Sequence, residues 1–123
     1  MCHSPLSLLQ EKGKLTQGTD VMQGTLDLLI LKALTLEPMH GWGISDHIKR
    51  ISGDIFQVGQ GSLYPALHRF ETRSWVTSYW KQTANSRIAR YYELTPKGRH
   101  AFEAEIAAWR SYSRAMDLVI EAE

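Results

Sequence analysis

The sequence predicts a mainly α fold with one small antiparallel β-hairpin and a long C-terminal helix. Three observations lead there. Apolar residues recur at intervals of three and four from residue 24 onward, the period of helices with one buried face. Between residues 75 and 95 the period shortens, and aromatic and β-branched residues flank a polar turn. After Thr95-Pro96 the helical spacing returns and lasts to the end of the chain. At 123 residues, the chain can build one compact domain and an appendage.

Residues 1–22 carry Pro5, Gly13 and Gly18 among scattered polar residues without a sustained period, and read as a flexible N-terminal arm. Met22 is itself a candidate start. The first helix spans residues 24–37 and directs Leu26, Leu29, Ile30, Ala33 and Leu34 inward; Glu37-Pro38 ends it, because a residue before proline avoids helical dihedrals. The second spans residues 41–52, with Ile44, Ile48 and Ile51 on one face and Gly53 as a left-handed C-terminal cap. Residues 54–59 form a connector. The third helix starts at Gly61 or Ser62, runs to about Arg73 and buries Leu63, Leu67 and Phe70. Pro65 is read as a first-turn residue, where an amide has no intrahelical partner to lose. Strands are predicted over residues 75–80 and 90–95, joined by the turn chemistry of Gln82-Thr83-Ala84-Asn85-Ser86. Thr95 then caps a final helix opened by Pro96 and running to about Glu121. The chain divides into an arm (1–22), a domain (23–95) and a C-terminal helix (96–123).

Composition removes several function classes. No run of about 18 apolar residues exists to span a bilayer. Leu6, Leu8 and Leu9 are too few for a signal-peptide core, and Cys2 is the only cysteine, so no internal disulfide forms and a cytoplasmic location is expected. The net charge of +1 conceals an uneven distribution. From residue 68 to 100, Arg69, Arg73, Lys81, Arg87, Arg90, Lys97 and Arg99 face only Glu71 and Glu93. From residue 101 onward, Glu103, Glu105, Asp117, Glu121 and Glu123 outweigh Arg110 and Arg114.

A short helix followed at once by a basic hairpin is the order of a winged helix-turn-helix domain, which points to double-stranded DNA as the partner. In that arrangement the third helix offers its first turn to the major groove. Ser62 and Tyr64 are assigned to phosphates, and Gln60, His68 and Arg69 to base edges. Tyr64 has an equal alternative, with its ring packed on the domain and only the hydroxyl in solvent. On the wing, Lys81, Arg87 and Arg90 follow the phosphate backbone or enter the minor groove. Tyr92 shares a strand face with Leu94 and is assigned to the core.

Phe102, Ile106, Trp109, Ser113, Met116 and Ile120 are spaced four, three, four, three and four, a heptad seam with one polar member. Its first part can be covered by the first helix of the same chain. A helix of about 26 residues reaches roughly 39 Å, longer than the small domain it leaves, so its outer half calls for a second copy in a two-fold homodimer. That arrangement would also set two recognition helices about 34 Å apart. Trp109 is a packing anchor or one wall of a pocket for a flat, apolar or aromatic effector.

Gly24-Thr25-Leu26, His40-Gly41-Trp42, Gly61-Ser62-Leu63-Tyr64-Pro65-Ala66-Leu67, Arg90-Tyr91-Tyr92 and Leu94-Thr95-Pro96-Lys97-Gly98, in this order and spacing, resemble the PadR family of bacterial transcriptional regulators. The resemblance runs from about Gln23 to the end. It implies a winged helix with a single C-terminal helix, and a homodimeric repressor released from its operator by a small molecule bound near the dimer interface. Two departures stand out: Trp42 occupies a position where tyrosine is usual, and Ile88 interrupts a wing segment that is often more densely basic.

Other chemistries fit less well. Gly59-Gln60-Gly61 before a helix imitates a dinucleotide-binding loop, but Tyr64 stands where the third glycine belongs and no parallel α/β alternation follows. His3, His40, His47, His68 and His100 do not cluster at metal-ligand spacing, and no cofactor is expected. Ser45-Asp46-His47 holds triad residue types, but three consecutive helical residues point in different directions. No enzyme is expected. The competing class is a winged-helix module that binds a protein partner, whose association would depend little on salt.

Overall fold

The computed structural model describes residues 20–123. Cys2, His3 and the expected arm as far as residue 19 lie outside the described residues. The order is α1 (Asp20–Leu36), β1 (Met39–His40), α2 (Gly41–Ile51), α3 (Gln60–Thr72), β2 (Val76–Gln82), β3 (Ile88–Leu94) and α4 (Pro96–Glu121).

α1 begins about one turn before the expected residue 24 and buries Leu26, Ile30, Leu31, Ala33 and Leu34, while Leu29 is only half-buried. Pro38 ends it and leaves the chain extended. The next two residues form β1, an element absent from the sequence reading because two residues carry no periodicity. They pair antiparallel with the central strand, Met39 opposite Tyr92 and His40 opposite Tyr91, so the sheet order is β1-β3-β2.

α2 is capped by an imidazole: the Gly43 amide donates to His40 Nδ1 at 3.0 Å. Ile44 and Ile48 enter the core, but Ile51, at the helix's last residue, is exposed. Gly53 has the expected left-handed backbone, φ 64°. The connector is held by Ser45 Oγ donating to the Val58 carbonyl and by the Phe56 amide donating to Ser52 Oγ. α3 then buries Leu63, Ala66, Leu67 and Phe70. Because α3 starts at Gln60, Pro65 lies in its second turn and removes a bond to the Gly61 carbonyl; Gly61 is exposed, so water can replace that donor.

Strands β2 and β3 pair from Val76 opposite Leu94 to Gln82 opposite Ile88, which lengthens the expected hairpin toward its tip. The turn closes where the Thr83 amide donates to the Arg87 carbonyl at 2.6 Å, with Ser86 at φ 64°. Val76, Tyr92 and Leu94 complete the core, so Tyr92 takes the buried role expected of it. Thr95 caps α4 by accepting from the Gly98 amide at 2.9 Å, and its hydroxyl sits within bonding distance of the Ser74 and Trp75 carbonyls. A Cβ on Gly98 would overlap the Trp75 carbonyl, so glycine alone lets α4 start this close to β2. Among the described residues, no helix is long and apolar enough to cross a membrane.

Candidate nucleic-acid interface

Opposite its buried face, α3 exposes Gly61, Pro65, His68 and Thr72 at spacings of four, three and four. Gln60 is exposed at its start, and Ser62 is half-buried on one flank. Tyr64 lies on the other flank, 42% exposed. A Cβ on Gly41 would overlap its hydroxyl and ring carbon, so the phenol lies across the first residue of α2 and keeps one edge in solvent.

Two of the expected DNA-facing cations are paired with acids of the protein itself. Arg69, read as a base reader, donates Nη2 to Asp27 Oδ1 of α1 at 2.6 Å and is only 29% exposed. It sits one position off the exposed ridge, where the nearest acid is the half-buried carboxylate of the facing helix. Asp27 is nevertheless raised above the usual carboxylate range: loss of hydration by burial outweighs the hydrogen bond and charge of Arg69 and the more distant Arg73. Arg90, read as a phosphate contact, donates to Ser78 Oγ at 2.9 Å and to Glu71 Oε2 at 3.0 Å, while Ser78 Oγ donates to the same Glu71 oxygen at 2.7 Å. Glu71 belongs to α3 and the other two residues to the wing, so this cluster fixes the hairpin against α3. Sequence reading missed Asp27 and Glu71 as partners. Their signal was an acid on a mostly apolar helix and an isolated acid within a basic stretch.

Lys81 and Arg87 are exposed, and among the described residues neither has a carboxylate partner. The Lys81 ammonium sits 5.2 Å from the centre of the Tyr91 ring. Tyr91 stacks on Tyr79 at 6.0 Å and meets the edge of His40 at 5.1 Å, and His40 leans on Trp42 at 6.3 Å. The outer face of the sheet is therefore an aromatic row ending at α2. Trp42, Trp80 and Ile88 are each about 70% exposed.

On α4 the seam divides. Phe102, expected at a dimer contact, is buried in the chain's own core, and Ile106 packs partly against that core, because both face α1. Beyond them Trp109, Met116 and Ile120 are exposed, with Ser113 half-buried. Tyr112 and Val119, seven residues apart, add a second exposed apolar row that the sequence reading missed and the same heptad logic would have found. Between α1 and α4 an apolar groove of about 340 Å³ is lined by Leu28, Leu29, Phe56, Ile106 and Trp109, with Lys32 and Arg110 among its charged residues. Among the described residues no group of histidines, cysteines and carboxylates is placed to hold a metal ion.

A three-helix unit whose third helix keeps one ridge exposed, followed by a cationic hairpin, defines a winged helix-turn-helix protein. The family model described as the transcriptional regulator PadR-like family matches residues 30–104, and the chain belongs to that family of DNA-binding transcriptional regulators, which are not enzymes. The structure is similar to a PadR-like transcriptional regulator from Bacillus cereus, 25% identical, with a TM-score of 0.73 and coverage of 85% of this chain and 100% of that one. It is also similar to a PadR family transcription regulator from Clostridium difficile, 26% identical, with a TM-score of 0.66 and coverage of 77% and 97%. In sequence it matches an uncharacterized protein of Lysinibacillus sphaericus, 24% identical over 103 residues, covering 84% of this chain and 94% of the relative.

Proposed function

We propose that this regulator binds its operator as a homodimer joined through α4, and represses until a small apolar or aromatic effector enters the groove between α1 and α4. The observation that carries this reading is the exposed apolar arc of Trp109, Tyr112, Met116, Val119 and Ile120, continuous with that groove. So much apolar surface on one helix marks a contact face. Trp109 belongs to both features, so a ligand against its indole also touches the dimer contact. An effector with different affinity for two dimer geometries would shift the spacing of the recognition helices.

On the DNA side, Gln60, Ser62, Tyr64 and His68 of α3 are assigned to the major groove, with Ser62 and Tyr64 on phosphates. Lys81 and Arg87 are assigned to the backbone or minor groove beside it. Arg69 and Arg90 serve mainly by holding α3 to α1 and the wing to α3. The test is a titration of the purified protein against the duplex upstream of its own gene and an unrelated duplex, at two salt concentrations. Tight, salt-sensitive binding that prefers the upstream duplex is expected. Binding to neither duplex at low salt, with an intact dimer, would favour a protein-binding module instead.

A further inference from the structure

The wing tip and the start of α2 enclose an open notch of about 550 Å³, lined by His40 and Trp42 on one side and by residues including Asn85, Arg87 and Ile88 on the other. No acid lines it, and α2 has no acid in its first turn. Arg87 is a cation without a carboxylate partner among the described residues. His40 accepts the Gly43 amide at Nδ1, so its neutral ring carries the proton on Nε2 and offers a donor there. Against these polar groups stand two unburied apolar side chains, Trp42 at 70% and Ile88 at 71% exposure.

We infer that this notch carries one strand of the operator's sugar-phosphate backbone, with Trp42 packed on deoxyribose and Arg87 and His40 on the flanking phosphates. The inference rests on the DNA-binding reading above. Two arguments select this occupant. A DNA strand alternates anionic and apolar units at short intervals, and the notch sets cationic and donor groups beside an indole and a β-branched side chain. The notch also continues the α3 surface: Tyr64 lies across Gly41, the residue between His40 and Trp42. A strand leaving Tyr64 therefore meets Trp42 next and the wing tip after it.

Trp42→Ala and Arg87→Ala separate the two contributions. An apolar sugar contact releases no counterion, whereas each neutralised phosphate contributes about 0.9 to the slope of log affinity against log salt. Trp42→Ala should weaken binding about five- to twenty-fold on both the upstream and the unrelated duplex with the slope unchanged. Arg87→Ala should lower the slope by about 0.9. Trp42→Tyr, which keeps a ring, should recover most of the affinity. In hydroxyl-radical footprints, Trp42→Ala should lose protection of sugars between the major-groove and wing contacts. Full affinity and an unchanged footprint for Trp42→Ala, with normal binding by the parent protein, would overturn this inference alone. Failure of the parent protein to bind any duplex at low salt would overturn the DNA reading and this inference with it. Trp42 is mostly exposed, so an unaltered melting temperature is expected for its variants; a lower affinity that merely follows a lower melting temperature counts against the inference.

Discussion

Single residues decide how closely the elements approach. At Gly98 an added methyl group meets the Trp75 backbone carbonyl, which cannot move without disturbing the hairpin; at Gly41 it meets the end of the Tyr64 side chain, which can. Gly98→Ala should therefore destabilise by about 3 kcal/mol, and Gly41→Ala by about 1 kcal/mol, read as melting temperatures. Gly41→Ala should also weaken DNA binding by displacing the phenol. Asp27 has a pH signature. Its folded pKa is raised by burial, so the native state holds this proton more tightly than the unfolded chain, and its effect on stability declines as pH rises above about 4. Compared with Asp27→Asn, the parent protein should lose stability as pH rises above about 4. An equal pH dependence of the two proteins would show that burial does not dominate at this carboxyl.

At the scale of elements, the wing is held by a carboxylate that the DNA itself would repel. Glu71 costs favourable charge on the surface proposed to meet phosphates, and its bonds to Arg90 and Ser78 are what it returns. Glu71→Ala should leave the fold within about 1 kcal/mol of the parent protein but mobilise the hairpin, seen as faster amide exchange across β2 and β3. Thr95→Ala should cost about 1 kcal/mol through the lost cap of α4. Much of this scale was legible in the sequence, and for physical reasons. The Thr95-Pro96 start, the stop before Pro38, the Gly53 cap and the buried faces of α1 and α3 all follow from local stereochemistry and helical period. What stayed hidden needs three dimensions. β1 is too short to show a period, and Ile51 obeys the period at a point where the core has ended. Arg69 and Arg90 read as free cations because their acids lie 42 and 19 residues away in the chain. Of the candidate site, the exposure of Gln60, His68, Lys81 and Arg87 was legible, and the two ion pairs beside them were not.

At the scale of the whole molecule, one helix belongs to two structures. α4 enters the domain core at Phe102 and leaves it by Trp109, so the same rod closes the fold and presents the proposed dimer face. Met116→Glu combined with Ile120→Glu should yield a monomer in sedimentation with the domain core intact. A dimer of unchanged strength would place the contact elsewhere. Continuity also gives the helix leverage. From Ile106, beside the groove, to Ile120 is roughly 21 Å of helix, so a tilt of about 10° at the root swings the far end by about 4 Å. Displacing Trp109 by less than the width of a methyl group would thus be magnified several-fold at the tip. A ligand small enough to sit between α1 and α4, as proposed, would need no large motion of its own to rearrange a molecule many times its size.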